Sequence, residues 1–123
     1  MDKSNKKIII FDDDEDILSI CSFILEEQGW KVHTFTNCNT IAERVSDILP
    51  DVILMDNWIP DEGGIMATQR LKRNEKLKSI PVIYFSANSD IQLLADHAGA
   101  ESYLAKPFDL EELERVINTV LVK

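Results

Sequence analysis

Short apolar runs alternate with longer segments of mixed polarity along the whole chain. Runs rich in β-branched and aromatic residues occupy positions 8–11, 32–35, 52–55 and 81–85, and a weaker run occupies 102–105. Most of these runs are continuously apolar rather than alternating, which is typical of strands that are covered on both faces of a parallel sheet. The pattern therefore predicts five short parallel strands.

The segments between these runs carry apolar residues at helical spacing. The five predicted stripes are Ile17, Ile20, Cys21, Ile24 and Leu25; Cys38, Ile41, Val45, Ile48 and Leu49; Ile65, Thr68 and Leu71, the least clear; Ile91, Leu94, Ala95 and Ala98; and Leu110, Leu113, Ile117, Val120 and Leu121. The last stripe has the clearest start signal, because Asp109 can cap the free N–H groups and Glu112 stands three residues later. We therefore predict five helices, one after each strand.

Five strands that alternate with five helices in 123 residues predict a single α/β domain over positions 1–123. Crossovers between parallel strands are right-handed, which leaves few topologies. At this size the natural arrangement is a flavodoxin-like, doubly wound sheet with the strand order 2-1-3-4-5. The sequence contains no repeat, low-complexity tract or interdomain linker.

The charge balance narrows the classes of partner. Asp and Glu number 22 against 13 Lys and Arg, a formal net charge of −9, and a chain this acidic repels nucleic-acid backbones, so we expect no direct nucleic-acid binding. No apolar run approaches the roughly 18 residues that span a bilayer, and the first residues lack the features of a secretory signal. Cys21 and Cys38 share no metal-like spacing. We therefore expect buried, inert thiols in a cytoplasmic protein that does not contact the membrane.

Charged and hydroxyl side chains follow the predicted strands. Asp12 and Asp13 come directly after the first strand, Asp56 after the third, Ser86 after the fourth and Lys106 after the fifth. In such a sheet, ligands bind outside the carboxyl ends of the strands, where the strand order reverses. The first and third strands flank this point, so we expect their three carboxylates to converge there.

Converging carboxylates repel one another unless a cation relieves the repulsion. Oxygen ligands favour Mg²⁺ or Ca²⁺, and Mg²⁺ is usually held by one or two carboxylates plus phosphate oxygens. Lys106 adds a compact positive charge that can pair with Asp56 or a phosphate, and Ser86 can donate a hydrogen bond to a phosphoryl oxygen. Asp56 stands alone at its strand end, which makes it the best candidate for a nucleophile that forms an aspartyl phosphate. The adjacent Asp12 and Asp13 are better placed to hold the metal.

Six segments along the chain form an ordered set. They are 8–14 (IIIFDDD), 50–56 (PDVILMD), Ile59-Pro60 with Gly64, 81–87 (PVIYFSA), Gly99-Ala100 and 103–108 (YLAKPF). Each segment alone is unspecific. In this order they resemble the receiver domain of two-component response regulators, chemotaxis regulators among them, over nearly the whole chain.

The resemblance implies a role for each residue at the predicted sheet edge. Asp56 would be the phosphoacceptor. Asp12, Asp13 and Asp56 would hold Mg²⁺ together with the backbone carbonyl of Trp58. Ser86 would contact the phosphoryl group.

The resemblance also implies a switch. Lys106 would neutralise the phosphoryl group, and Tyr103 would be the switch aromatic, which rotates inward when the hydroxyl residue Ser86 moves. The donor would be a sensor histidine kinase, a phosphotransfer protein or a small molecule such as acetyl phosphate. The output would be altered binding of a downstream protein or output domain on the face of the fourth helix, fifth strand and fifth helix, or a phosphorylation-dependent homodimer. Such a domain is no enzyme beyond its own phosphorylation and dephosphorylation.

Three positions depart from the common pattern of that family, and the mildest is Ser86, which stands where threonine is also common and keeps the hydroxyl. Trp58 stands beside the acceptor, where methionine or a polar residue is frequent, and Gly63 replaces a frequent acidic or polar residue. We predict that the Trp58 indole shields an acyl phosphate from water and slows its loss. The alternative is that Trp58 is an ordinary surface aromatic.

Three other interpretations fit parts of the sequence. Aspartates after a strand can simply cap the next helix, and 14–16 suit a first helical turn. The segment 8–14 also resembles the opening motif of haloacid-dehalogenase phosphatases, but no second acidic pair follows Lys106 in the right setting. A receiver-like binding module that works without phosphorylation is the third alternative, although this chain retains the acidic pair, the acceptor and the lysine.

Overall fold

The computed structural model describes residues 6–59, 63–87 and 89–121; Pro60, part of a family-like segment, lies outside them. The strands are β1 (Lys7–Phe11), β2 (Lys31–Phe35), β3 (Val52–Asp56), β4 (Val82–Ser86) and β5 (Ser102–Ala105). The helices are α1 (Glu15–Glu27), α2 (Ile41–Ile48), α3 (Gly64–Arg73), α4 (Ile91–Ala98) and α5 (Leu110–Leu121). The predicted alternation of strands and helices is confirmed.

The five strands are parallel and lie in the order β2-β1-β3-β4-β5. This confirms the flavodoxin-like topology, with β1 and β3 as central neighbours. Asp12 follows β1 directly, Asp56 is the last residue of β3, and Ser86 ends β4 beside Ala105 of β5. The carboxyl ends of these strands therefore meet at one edge of the sheet.

Alternate strand residues fill two hydrophobic layers, one on each face of the sheet. Ile9 and Phe11 of β1 belong to the layer covered by α2, α3 and α4, whereas Ile8 and Ile10 belong to the layer covered by α1 and α5. Every residue of β3 and β4 is buried. Burial on both faces explains why these strands are continuously apolar in sequence.

The second helix is shorter than its apolar pattern predicts. It begins at Ile41, so Cys38 lies in the preceding turn and not on the helix. Thr40 and Leu49 flank the helix with φ values of 50° and 51°, a left-handed backbone that an α-helix cannot include. Leu49 is consequently exposed, although Cys38 is buried as expected.

Two other helices present slightly different faces to the core than predicted. Ile20 of α1 and Leu110 of α5 are exposed, whereas Leu18 and Val116, which lie outside the predicted stripes, are buried. Leu110 is the first residue of its helix and so lies at the rim of the contact. Cys21 is buried as predicted, and burial, reinforced by the charge of Asp12, raises its pKa to about 11, which keeps the thiol inert.

Acidic side chains begin α1 and α5. Asp14 accepts hydrogen bonds from the N–H groups of Asp16 at 3.0 Å and Ile17 at 3.4 Å. Asp109 accepts from the Glu112 N–H at 2.9 Å, and Glu112 accepts from the Asp109 N–H at 3.3 Å, which is the predicted capping box. Because Asp14 caps α1, the carboxylates of Asp12 and Asp13 are not used as the helix cap and remain available at the edge of the sheet.

Candidate functional site

Three carboxylates converge where β1 and β3 end. One carboxylate oxygen each of Asp12, Asp13 and Asp56 lie within 4.8 Å of one another. Asp12 and Asp56 are only 1% and 4% exposed, whereas Asp13 faces solvent. The strand order therefore brings these residues together as expected, and leaves the cluster open on the side of Asp13.

The Lys106 ammonium group binds two of these carboxylates. Its Nζ lies 2.7 Å from Asp12 Oδ2 and 2.9 Å from Asp56 Oδ1, and 4.6 Å from the centroid of the Phe85 ring. Burial by itself lowers the pKa of Lys106, but the hydrogen bonds to Asp12 and Asp56, together with the negative charges of these two carboxylates, outweigh burial and raise the pKa above its ordinary value. Lys106 therefore stays charged and fixes a positive centre beside Asp56.

Negative charge is nevertheless in excess at this site. Burial raises the pKa of Asp12, and the hydrogen bonds from Lys106 and from the Asp14 N–H, the latter at 2.9 Å, offset burial only in part. When all three carboxylates are ionised, the single ammonium group of Lys106 leaves two negative charges without compensation. One divalent cation carries the opposite charge, and carboxylate oxygens are the ligands that Mg²⁺ prefers, so the donor set fits this ion.

The segment after Asp56 is held close to the start of α3. Asp56 Oδ2 accepts a hydrogen bond from the Trp58 N–H at 3.1 Å, and Oδ1 accepts from Lys106, so both carboxylate oxygens are oriented. The Gly64 N–H donates to the Asn57 carbonyl at 3.1 Å. A Cβ on Gly64 would overlap the backbone carbonyl of Asp56. Glycine is therefore required for this close approach.

These side chains line a cavity of about 310 Å³ that opens to solvent. Its lining consists of Asp12, Asp13, Asp14, Asp56, Trp58, Ser86, Ala87 and Lys106. Ser86 is buried at the end of β4, and its carbonyl accepts the Lys106 N–H at 2.9 Å. Trp58 is 73% exposed and lies at the rim. Of the predicted site residues, all but Tyr103 share this cavity.

Tyr103 lies in β5, outside the cavity lining. Tyr103 is 39% exposed, and its hydroxyl lies 3.5 Å from Gln92 Oε1 of α4. In the sheet, Tyr103 pairs in register with Tyr84, which lies two residues before Ser86 on the same face of β4. Contact between Tyr103 and the carboxylate cluster would therefore require the ring to move inward.

Two residues that the sequence did not single out contribute to this region. The Asn57 side chain accepts a hydrogen bond from the hydroxyl of Tyr84. Asn57 could have been identified from the sequence, because it lies between two predicted site residues, Asp56 and Trp58. Tyr84 gave no such signal, because in the sequence it is an aromatic residue within an apolar strand, and only folding shows where its hydroxyl reaches.

Known proteins share this architecture. The family model of the response regulator receiver domain matches residues 8–118 of this chain. The regulatory protein AtoC of Escherichia coli K12 is 32% identical over 117 residues, which cover 94% of this chain and 25% of AtoC. The DNA-binding dual master transcriptional regulator RpaA of Synechocystis is 33% identical over 94% of this chain and 48% of RpaA. The chain thus spans about half or less of the length of these two relatives.

A solved structure adds a metal to the comparison. The receiver domain of the sensor histidine kinase PA1611 from Pseudomonas aeruginosa, with a magnesium ion coordinated in its active-site cleft, is 26% identical to this chain. The two superimpose with a TM-score of 0.87 over 96% of this chain and 98% of that domain.

The fold, the acidic site and the relatives agree with one another. Within the described residues, no helix is long and apolar enough to cross a bilayer. The family match covers most of the chain, from the first strand to the last helix. This chain therefore belongs to the receiver domains of two-component response regulators, which are signalling domains rather than classical enzymes, and it carries their acidic site in Asp12, Asp13 and Asp56.

Proposed function

We propose that this chain is a cytoplasmic switch in which Asp56 accepts a phosphoryl group and thereby changes which partner the domain binds. The observation that carries the proposal is the position of Asp56. Its carboxylate is buried in the cluster, and both of its oxygens are oriented, one by Lys106 at 2.9 Å and one by the Trp58 N–H at 3.1 Å. A carboxylate held in this way is poised for an in-line displacement.

In the transfer, an oxygen of Asp56 forms a bond to phosphorus while the bond from phosphorus to the donor breaks. The departing electron pair leaves with the donor, an imidazole nitrogen of a phosphohistidine or an oxygen of acetyl phosphate. Positioning and charge neutralisation supply most of the catalysis in such transfers. Lys106 neutralises charge on the phosphoryl oxygens, and the Ser86 hydroxyl at the end of β4 donates a hydrogen bond to one of them.

Asp12, Asp13 and Asp56, together with the Trp58 backbone carbonyl, would hold Mg²⁺. The excess of negative charge in the cluster supports this assignment, as does the magnesium ion in the cleft of the PA1611 receiver domain. When bound, the ion would relieve repulsion among the carboxylates and neutralise charge that develops on the phosphoryl group. The two buried aspartates, Asp12 and Asp56, would be the ligands with the least freedom to move.

The partners follow from the family. A sensor histidine kinase or a phosphotransfer protein would be the donor, and the surface of α4, β5 and α5 would bind a downstream protein, an output domain or a second copy. Leu93 of α4, Tyr103 of β5 and Leu110 of α5 are exposed apolar residues on these elements, which supports a binding surface there. Inward rotation of Tyr103 towards Ser86 would alter this surface.

Phosphorylation can be tested directly. The protein is incubated with Mg²⁺ and acetyl phosphate, and its mass is followed over time. We expect one phosphoryl group per chain in the wild type and none in Asp56→Asn, with Asp51→Asn, a carboxylate outside the cavity, as the control that is still modified. Continuous release of phosphate that persists in Asp56→Asn would instead indicate a phosphatase, and no modification at all would indicate a passive binding module.

A further inference from the structure

Tyr84 is a fully buried tyrosine that the proposed chemistry does not use. It lies in β4, paired in register with Met55 of β3 and Tyr103 of β5, in the layer covered by α2, α3 and α4. A buried hydroxyl without a hydrogen-bond partner destabilises a protein, so its partner is informative. The Tyr84 hydroxyl donates to Oδ1 of Asn57.

Asn57 is thereby anchored in two ways. Its side chain is bound to Tyr84 of β4, and its backbone carbonyl accepts the Gly64 N–H at 3.1 Å at the start of α3. Its two neighbours in the chain are Asp56 and Trp58, which are joined to each other by the hydrogen bond from the Trp58 N–H to Asp56 Oδ2. The residue between them therefore determines how this short loop is oriented.

We propose that Tyr84 is a positioning residue of the acceptor site, which acts through Asn57 to hold the segment from Asp56 to Trp58 in the geometry that binds a divalent cation and accepts a phosphoryl group. The inference rests on the proposed function of Asp56. Tyr84 touches no reacting atom. It sets the place of the Asp56 carboxylate and of the Trp58 backbone, which supply the nucleophile and a metal ligand.

The surroundings of Tyr84 suit this task. Burial, and to a lesser degree the charge of Asp56, raise the pKa of Tyr84 above its ordinary value, so the hydroxyl remains a donor at any physiological pH. The ring is fixed within a closely packed layer, which gives the hydroxyl little freedom to leave Asn57. Strand β4 thus holds the segment from Asp56 to Trp58 through Asn57, and the Gly64 N–H and the Lys106 ammonium group hold the same segment elsewhere.

The test compares Tyr84→Phe, which removes only the hydroxyl, with Asn57→Ala and the double variant. Val82→Ala is the matched control, because Val82 lies two residues earlier on the same face of β4 and is equally buried. Each protein is titrated with Mg²⁺ alone by calorimetry, its phosphorylation by acetyl phosphate is timed, and its thermal unfolding is recorded.

We expect Tyr84→Phe to bind Mg²⁺ about threefold to tenfold more weakly than the wild type, and to be phosphorylated more slowly. The double variant should bind Mg²⁺ no more weakly than Asn57→Ala, because both changes break the same connection. Val82→Ala should unfold at a lower temperature and keep wild-type Mg²⁺ affinity.

Wild-type Mg²⁺ affinity in Tyr84→Phe would overturn the inference, and so would additive losses in the double variant. A wild-type chain that binds Mg²⁺ but takes up no phosphoryl group would refute the proposed function alone, since the Mg²⁺ titrations still measure positioning. A wild-type chain that binds no Mg²⁺ would refute both.

Discussion

Replacing Gly64 by alanine tests whether phosphorylation of Asp56 depends on the close approach of the start of α3 to the Asp56 backbone. A Cβ at this position would overlap the carbonyl oxygen of Asp56, and would lie 3.0 Å from its carbonyl carbon and 3.1 Å from Cα of Asn57. All three are backbone atoms, which cannot turn aside as a flexible side chain can. To reach an ordinary carbon–oxygen contact of about 3.3 Å, the Asp56 backbone or the first turn of α3 has to move by about 1 Å.

Two effects of different size follow from that displacement. Forcing one extra methyl group into a packed region destabilises a domain by about 1–3 kcal/mol. A shift of about 1 Å at a reacting group can slow a reaction by about 100-fold. We therefore expect Gly64→Ala to fold, to be moderately destabilised in urea, and to be phosphorylated about 100-fold more slowly than the wild type.

Gly99→Ala is the matched control. Gly99 caps the end of α4 with a positive φ of 86°, and an added Cβ there would meet only the Lys72 side chain, at an ordinary 3.7 Å. Its left-handed backbone makes alanine unfavourable by about 1–2 kcal/mol, a loss of stability comparable with that of Gly64→Ala. Its rate of phosphorylation should equal that of the wild type. If Gly64→Ala were phosphorylated as fast as Gly99→Ala, the reasoning about the acceptor loop would be wrong.

Three further changes test other contacts. Burial raises the pKa of Asp12 in the folded chain, so the contribution of Asp12 to stability is favourable at low pH and is lost as pH rises through the raised pKa. Asp12→Asn should therefore raise the Tm measured by calorimetry at pH 7 without Mg²⁺, and a lower Tm would contradict this. If the Trp58 indole shields the acyl phosphate, Trp58→Asn should shorten its lifetime in a decay assay, and an unchanged lifetime would leave Trp58 an ordinary surface aromatic. Asp109→Ala removes the cap of α5 and should lower the free energy of unfolding in urea by about 1 kcal/mol with unchanged Mg²⁺ affinity; a change in that affinity would show that the cap also supports the site.

Much of the site was predictable because a parallel sheet places the ends of its strands at one edge. Once 8–11 and 52–55 are recognised as buried strands, the residues that follow them, Asp12 and Asp56, have to lie side by side. The same rule places Ser86 and Lys106 there. No knowledge of side-chain packing is needed for this step, since strand order and direction suffice.

Other features depend on information that periodicity does not contain. The left-handed backbone at Thr40 and Leu49 shortened α2, although neither residue type favours that conformation. Ile20 is exposed because of the way α1 packs against the sheet. The apolar spacing alone does not determine, to within one position, which face of the helix makes that contact. The bond between Tyr84 and Asn57 joins residues 27 positions apart and could be found only in the folded chain.

The contacts that stabilise the acceptor site also give phosphorylation a way to act on the rest of the domain. Lys106 Nζ already binds Asp12 and Asp56, so under the proposed function a phosphoryl group on Asp56 has to compete with Asp12 for the same ammonium group. The backbone of Lys106 is bound to the Ser86 carbonyl, where β4 and β5 end together. Under the proposed function, a shift of Lys106 or Ser86 would therefore displace the ends of β4 and β5, and β5 carries Tyr103.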